Sequence, residues 1–298
     1  MIDTDVLHIK PTVEVIDDRF GINMISNSVL LIDVFKNRLQ FCVLNLQSET
    51  FLWLEDYQFS SVLGSNLFEF NLNSVYQNHH FLSANYWASI QLQVNTPIFT
   101  FVPKTIFKRE DSSRYLQLLT GSQVSDKYLI YDVEIEGEEV VCVYGIEKNI
   151  LNWFKNMYPA QKISPLPRIK TLLENSRLIA KSNSLHISFE ENDIDVALWK
   201  SGQLMLCNRY QYRTFSDFEY FLLMITNELS CDNSTLEVYL YGEITPFSEM
   251  FAVIERNFTQ RRFAGLTTNF KFSQFFTDLP EHRYSNLFGM KVDRRFEI

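Results

Sequence analysis

Residues 184–212 have the sequence SLHISFEENDIDVALWKSGQLMLCNRYQY, in which apolar runs alternate with short polar breaks. Three of these runs have the length and composition of strands: Leu185–Glu190, Ile194–Lys200 and Gln203–Tyr212. Breaks this short favour antiparallel hairpins. The residues that follow predict a helix, a strand ending in Gly242, and a second helix: Asp217–Leu229, Leu236–Tyr241 and Phe247–Phe258. This order of elements predicts a layered α/β unit.

The same order of elements begins earlier in the chain, near Val29. Three predicted strands and a helix occur there in matching order: Val29–Asp33, Arg38–Asn45, Thr50–Tyr57 and Phe68–His80. Spacing agrees between the two stretches, whereas residue identity between them is negligible. The polar break at residues 181–184 separates them. We therefore predict an irregular lead-in (residues 1–27), a first domain (28–180) and a second domain with a C-terminal tail (184–298).

Composition restricts the class of protein. With 298 residues, 46% of them hydrophobic, the chain can bury the cores of two ordinary domains. A net charge of -9 disfavours binding to nucleic acid or to an anionic membrane face. The first residues lack the pattern of a signal peptide, and no apolar run reaches the roughly 18 residues of a membrane helix. We expect a cytoplasmic protein whose four scattered cysteines are free thiols.

Few residues offer chemistry. Glycine occurs 9 times, and loops that cradle phosphates depend on glycine for a close backbone approach. Asp33 has the position of the first acid of a two-metal nuclease, but no basic surface stripe accompanies it. The adjacent residues His79 and His80 point in different directions, so the pair cannot chelate one ion. We therefore expect no metal site and no catalytic residue of these types.

Two consecutive units of this kind resemble the actin-like ATPase superfamily, in which each half is built on a ribonuclease-H-like sheet. The stretches 99–103 (FTFVP) and 238–244 (VYLYGEI) strengthen the likeness. The chain is similar to an uncharacterised bacterial family in the style of the pilus-assembly protein PilM. The resemblance implies two tandem ribonuclease-H-like domains in an actin-like arrangement, with mixed sheets and helices on both faces.

In that superfamily each half carries an acid followed by glycine in its first hairpin, and the two hairpins clasp the phosphates and the metal. Here Asp33 matches the first acid, but bulky residues replace the glycine. The second hairpin holds Glu190 and Asp193 and has no glycine. Of the glycine pair that binds adenosine, Gly242 alone is present. The resemblance therefore implies a degenerate nucleotide cleft.

The preferred function is a non-catalytic cytoplasmic scaffold or adaptor that binds a protein partner and needs no cofactor. The partner's peptide would bind in the interdomain cleft or on an exposed aromatic surface, and a homo-oligomer is a further possibility. The helix 217–229 is apolar nearly all round, which predicts burial in the core or a partner interface. The alternative is an ATP-binding or ATP-hydrolysing protein with Mg-ATP in the cleft. In that case Asp33 would orient a metal-bound water, Glu190 or Asp193 would assist, and Gly242 would face the adenine.

Overall fold

The computed structural model describes residues 9–59, 67–180 and 182–292, so the ends of the predicted lead-in and tail (residues 1–8 and 293–298) lie outside the described residues. The elements of the first half are, in chain order, β1 (Val13–Ile16), β2 (Ser28–Val34), β3 (Arg38–Asn45), β4 (Thr50–Gln58), α1 (Leu67–Asn78), β5 (Ser89–Val94), β6 (Phe99–Pro103), α2 (Ser112–Thr120), β7 (Tyr128–Glu134), β8 (Val140–Glu147), α3 (Lys148–Met157), β9 (Leu166–Pro167) and α4 (Arg168–Ile179). The elements of the second half are β10 (Ser184–Glu190), β11 (Asp193–Lys200), β12 (Gln203–Gln211), α5 (Phe215–Glu228), β13 (Glu237–Gly242), α6 (Glu249–Asn257), β14 (Gln260–Phe263), β15 (Lys271–Phe272) and α7 (Ser285–Phe288).

The two halves repeat one sheet topology. In the first sheet the strands lie in the order β1-β4-β3-β2-β5-β9, and in the second in the order β12-β11-β10-β13-β14. Within each sheet three strands form an antiparallel meander, and the first of the three also pairs in parallel with the strand that follows the helix. The predicted duplication and mixed α/β fold are therefore confirmed. A third, antiparallel sheet, β6-β8-β7, is inserted between β5 and α3 and is covered by α2.

Strand β2 shows why the first sheet lies at the centre of the molecule. All seven of its residues are buried, because alternate side chains enter two different cores. Leu30 and Ile32 pack in the main core, which also takes Trp199 and Tyr241 from the second half. Val29 and Leu31 pack in a separate core on the opposite face. The second half has in addition a core of its own between its sheet and the helices α5 and α6.

The tail, which the sequence assigns to the second domain, also packs on the first half. Strand β15 pairs in parallel with β4 of the first sheet. The rings of Phe51 and Phe288 then lie with their centroids 4.9 Å apart, beside the buried Phe276. The cause is the apolar outer face of the first sheet, which the tail removes from water.

Two further expectations change in the structure. The lead-in was predicted to be irregular, but its residues Val13–Ile16 form β1, whose antiparallel pairing with β4 makes it part of the first sheet. Helix α5 is capped by Thr214 and Asp217 and buries one face, whereas Tyr220 on the other face is 62% exposed, so all-round burial was wrong. No helix in the described ranges has the length and apolar character needed to cross a bilayer.

Candidate functional site

The seam between the two halves is polar and buried. Strand β10 turns Leu185 and Ile187 into the core of the second half, so the alternate residues face the first half. Among these, Ser188 and Glu190 are 1% and 8% exposed and meet side chains from β3, α4 and α7. This seam corresponds to the cleft in which the resemblance places a nucleotide.

Arg38, the first residue of β3, joins the two halves at one side of the seam. Its guanidinium donates to both carboxylate oxygens of Asp56 on β4, at 2.7 and 2.5 Å. It also donates to Glu190 at 3.3 Å and to Glu243 at 2.6 Å, both of which belong to the second half. Glu243 is further held by Arg283 of the tail, at 2.7 Å. One cation therefore connects strands of both halves.

Arg168, the first residue of α4, joins the halves a second time. Its Nε donates to Asp33 at 3.3 Å, and another nitrogen donates to Ser188 Oγ at 3.4 Å. A third nitrogen of Arg168, Nη2, lies 3.8 Å from Oε2 of Glu190. Asn286 of α7 donates to the same Ser188 hydroxyl at 3.2 Å. Asp33 and Glu190, which the ATP-binding alternative places beside a metal-bound water, are thus brought together by a guanidinium.

The space beside Asp33 is filled by side chains. Val34 is fully buried and Phe35 is 3% exposed. The Phe35 ring lies 5.0 Å from the guanidinium carbon of Arg168 and 5.7 Å from that of Arg38, in cation–π contact with both. Of the bulky residues that replace the family's glycine, Phe35 therefore lies against the arginine that binds the acid, whereas Val34 packs in the main core.

The tips of the two hairpins touch each other. Asn37, between β2 and β3, donates a hydrogen bond to Glu191, between β10 and β11. Glu191 has a φ of 45°, in the left-handed region that favours glycine. Farther along, Arg209 pairs with Asp195 at 2.6 Å and donates to the carbonyl of Thr96 at 3.0 Å, which adds another link between the halves. The two hairpins that correspond to the phosphate-binding hairpins of the superfamily are therefore hydrogen-bonded to each other.

The buried part of the seam has an excess of acid. Arg38 and Arg168 face three carboxyl groups that are almost completely buried, those of Asp33, Asp56 and Glu190. Burial raises the pKa of Glu190 to about 7, an effect that Arg168 and Arg38 offset only in part. Burial likewise raises the pKa of Asp33. Near neutral pH the seam therefore retains a proton that an exposed carboxylate would have lost.

The other two predicted site residues lie at the edge of this network. Asp193 pairs with Glu190 across the β10–β11 hairpin and is half-buried, and burial raises the pKa of its carboxyl. Gly242 has a φ of 78°, and a Cβ there would lie 2.1 Å from the carbonyl oxygen of Phe189. Gly242 is therefore packed against the backbone of β10 and has no room for a side chain.

A magnesium nucleotide does not fit the arrangement of the described side chains. The position that a metal would need beside Asp33 and Glu190 is taken by the Arg168 guanidinium. No group of three His, Cys, Asp or Glu side chains in the described ranges is arranged to hold a metal ion. One feature points the other way: Asp33 Oδ1 and Gln93 Nε2, on paired residues of β2 and β5, form no hydrogen bond of standard geometry within those ranges.

The residues that decide the site were missed by sequence reasoning. Arg38 and Arg168 are single basic residues at the starts of apolar segments, where sequence alone predicts a solvated helix or strand end. The acids Asp33 and Glu190 were found because the resemblance gave their positions. The remaining signal was the surplus of acids around residues 190–195, which required a cation from elsewhere.

Comparison with known families agrees with this architecture. Residues 17–260 match a family model described as a protein of unknown function (DUF3822). The chain belongs to the DUF3822 family. No curated protein matches it in sequence.

Comparison with solved structures identifies the fold of the DUF3822 protein. A Bacteroides thetaiotaomicron protein described as having an actin-like ATPase fold and unknown function superimposes with a TM-score of 0.73 at 18% identity, covering 82% of this chain and 93% of that one. The PilM-PilN type IV pilus biogenesis complex superimposes with a TM-score of 0.55 at 8% identity, covering 88% of this chain and 96% of that one. These likenesses confirm the predicted actin-like ATPase fold.

Proposed function

We propose that this DUF3822 protein is a non-catalytic cytoplasmic scaffold that binds another protein and uses the actin-like fold without nucleotide. The observation that carries the proposal is the pair of guanidinium groups, Arg38 and Arg168, in the cleft between the halves. They neutralise acids that in a nucleotide-binding relative would face a metal ion. The buried ring of Phe35 packs against both guanidinium groups.

The proposal of a protein partner draws on two further features. The PilM structure with the same fold was solved as a complex with PilN. The second half of this chain also exposes large aromatic side chains on α5, where Phe215 is 44% and Tyr220 62% exposed, and just before α6, where Phe247 is 95% exposed. Exposed aromatic side chains are enriched where proteins bind each other. We place the partner on these exposed aromatic side chains, because side chains fill the cleft.

The test of the nucleotide half of the proposal is a thermal-shift titration. The purified protein is melted with Mg-ATP, Mg-ADP or magnesium alone, at nucleotide concentrations up to the millimolar range. A ligand present at 100 times its Kd stabilises the folded state by about 2.7 kcal/mol, which moves a melting temperature measurably. We expect no shift with either nucleotide, and a saturable shift would refute the closed cleft.

The scaffold half is tested by affinity capture from native lysate, comparing the wild type with a variant that carries Tyr220→Ser and Phe247→Ser. Because both side chains are exposed, the variant should keep the wild-type stability, and its melting curve checks this. The proposal expects one protein to be captured reproducibly by the wild type and lost from the variant. Equal recovery of every captured protein by both would contradict a partner site on this surface.

An ATP-binding role is the second candidate, supported by the fold and by Asp33 Oδ1, which forms no hydrogen bond of standard geometry with the described residues. In that role Asp33 would act on a metal-bound water, with Glu190 or Asp193 assisting and Gly242 near the base. The cleft would first have to release Arg168 from Asp33. The same thermal-shift titration separates the two candidates, since only this one expects stabilisation by Mg-ATP.

A further inference from the structure

Strand β7 forms an open edge of the third sheet. The order of that sheet is β6-β8-β7, so among the strands that the structure describes β7 is paired on one side only. Among the described elements its main contacts are with β8 and α2. Six of its seven residues are half-buried, and its last residue is exposed.

The sequence of β7, YLIYDVE, carries almost none of the devices that usually protect an edge. Natural edge strands are guarded by proline, lysine, bulges or shortness. The other edges in the described sheets follow this rule: β6 ends in Pro103, β12 has a register shift, β14 carries two arginines, and β1 and β9 are short. The only mid-strand charge in β7, Asp132, is neutralised by two hydrogen bonds from Arg109, at 2.9 and 2.7 Å.

The backbone direction shows which groups of β7 are available. Lys127 accepts a hydrogen bond from the Lys148 amide at 2.8 Å, and the Ile135 amide donates to Val140 at 3.2 Å. Odd-numbered residues therefore hydrogen-bond to β8, because the two sides alternate along an antiparallel strand. The amides and carbonyls of Ile130 and Asp132 consequently point to the free edge.

We propose that β7 is a homodimer interface, in which β7 of one chain pairs antiparallel with β7 of a second copy about a two-fold axis at Tyr131. In this register Ile130 and Asp132 of the two copies form hydrogen-bonded pairs through the backbone groups that the fold leaves free. Leu129 meets Val133, and no two like charges lie opposite each other. The third sheets of the two copies then join into one continuous sheet.

Neighbouring registers are less favourable. A shift that keeps the hydrogen-bonding alternation moves the two-fold axis by one residue, to Ile130 or to Asp132. The axis at Asp132 places two carboxylates opposite each other, which destabilises the pair. The axis at Ile130 shortens the overlap of the two strands. Self-complementarity about Tyr131 is the argument for a second copy over an unrelated strand, since an isologous interface requires this symmetry. The inference does not depend on whether the cleft binds nucleotide.

Analytical ultracentrifugation over a concentration series into the micromolar range tests the proposal. The wild type is expected to move from 35.2 kDa to twice that mass. Tyr131→Lys and Tyr131→Glu each place like charges at the two-fold axis and should remain monomeric. An equimolar mixture of the two variants should recover the dimer, because lysine then faces glutamate. Leu118→Lys and Leu118→Glu, on an 85% exposed residue of α2, are the matched controls and should dimerise like the wild type.

A wild type that stays monomeric throughout the series overturns self-pairing, as do Tyr131 variants that dimerise individually. If the Tyr131 variants fail to fold, hydrogen exchange of the wild type decides. The Ile130 and Asp132 amides should then become more protected as the protein concentration rises. Exchange of these two amides that is independent of concentration also overturns the proposal.

Discussion

Replacing Glu190 by glutamine tests the excess of acid in the seam. Glutamine keeps the size of the side chain and a carbonyl acceptor for Arg38 and Arg168, but it cannot ionise. The folded-state pKa of Glu190 is raised to about 7, against an ordinary value of 4.5, because burial penalises the charged carboxylate. Between these two values the folded protein binds a proton that the unfolded chain has released.

The sign and size of the effect follow from proton linkage. Because the native state holds more protons than the unfolded state in this window, the free energy of unfolding falls as the pH rises from about 4.5 to about 7. One pKa unit corresponds to 1.36 kcal/mol, so the full penalty above pH 7 is about 3 kcal/mol. This is an upper limit for Glu190. The buried Asp33, which pairs with the same Arg168, also has a raised pKa and can hold the proton instead.

Urea denaturation of the wild type and Glu190→Gln at a series of pH values from 5 to 8 measures the difference. The variant should gain about 3 kcal/mol or less relative to the wild type across this range, because it lacks the Glu190 carboxyl that the wild type has to ionise. Glu139→Gln, in which the side chain replaced is 88% exposed, serves as a control and should parallel the wild type. Parallel profiles for the wild type and Glu190→Gln would refute the claim that the seam retains a proton.

Three further substitutions probe the same region. Arg38→Met leaves Asp56 buried without its bidentate partner. The free energy of unfolding, measured by urea denaturation, should fall by about 3–5 kcal/mol. An unchanged free energy would contradict the proposed role of this ion pair. Phe35→Ala removes a buried ring between the two guanidinium groups and should cost about 3–5 kcal/mol in the same assay, whereas a cost below 1 kcal/mol would mean that the ring is dispensable. Gly242→Ala should prevent stable folding, because the added Cβ meets a backbone carbonyl at 2.1 Å. Gly121→Ala, also at positive φ but with nothing within 4 Å, is its control and should cost only about 1–2 kcal/mol in thermal melts, so equal costs would deny the close approach.

Local sequence patterns predicted the strands and helices well because their causes are local. Short polar breaks placed Arg38–Asn45 at the observed bounds, and the duplication followed from the order of the elements. The position of the tail could not be predicted in this way. Its aromatic residues indicate that it packs somewhere, but the apolar face that receives it is formed by strands more than 200 residues earlier in the chain.

The candidate site, like the fold, could be predicted from the sequence only in part. The acids Asp33 and Glu190 were predicted from their places in the hairpins, and the structure does bring them together around one cation. Sequence could not show which cation this is, because Arg168 is distant from Asp33 in the chain and adjacent to it only after folding. Sequence alone does not distinguish a buried arginine from a solvated one.

The arginines change what closure of the two halves requires. In a fold that brings carboxylates from two halves into one buried seam, a positive charge must enter with them or the carboxylates must be protonated. A bound metal nucleotide would make closure depend on its concentration. Here the cations are covalent parts of the chain, Arg38 from a strand and Arg168 from the helix that connects the halves. In the proposed scaffold, closure would then need no ligand, and folding itself would set the relative position of the halves. A scaffold benefits from this arrangement, since the surface that it offers to a partner stays constant.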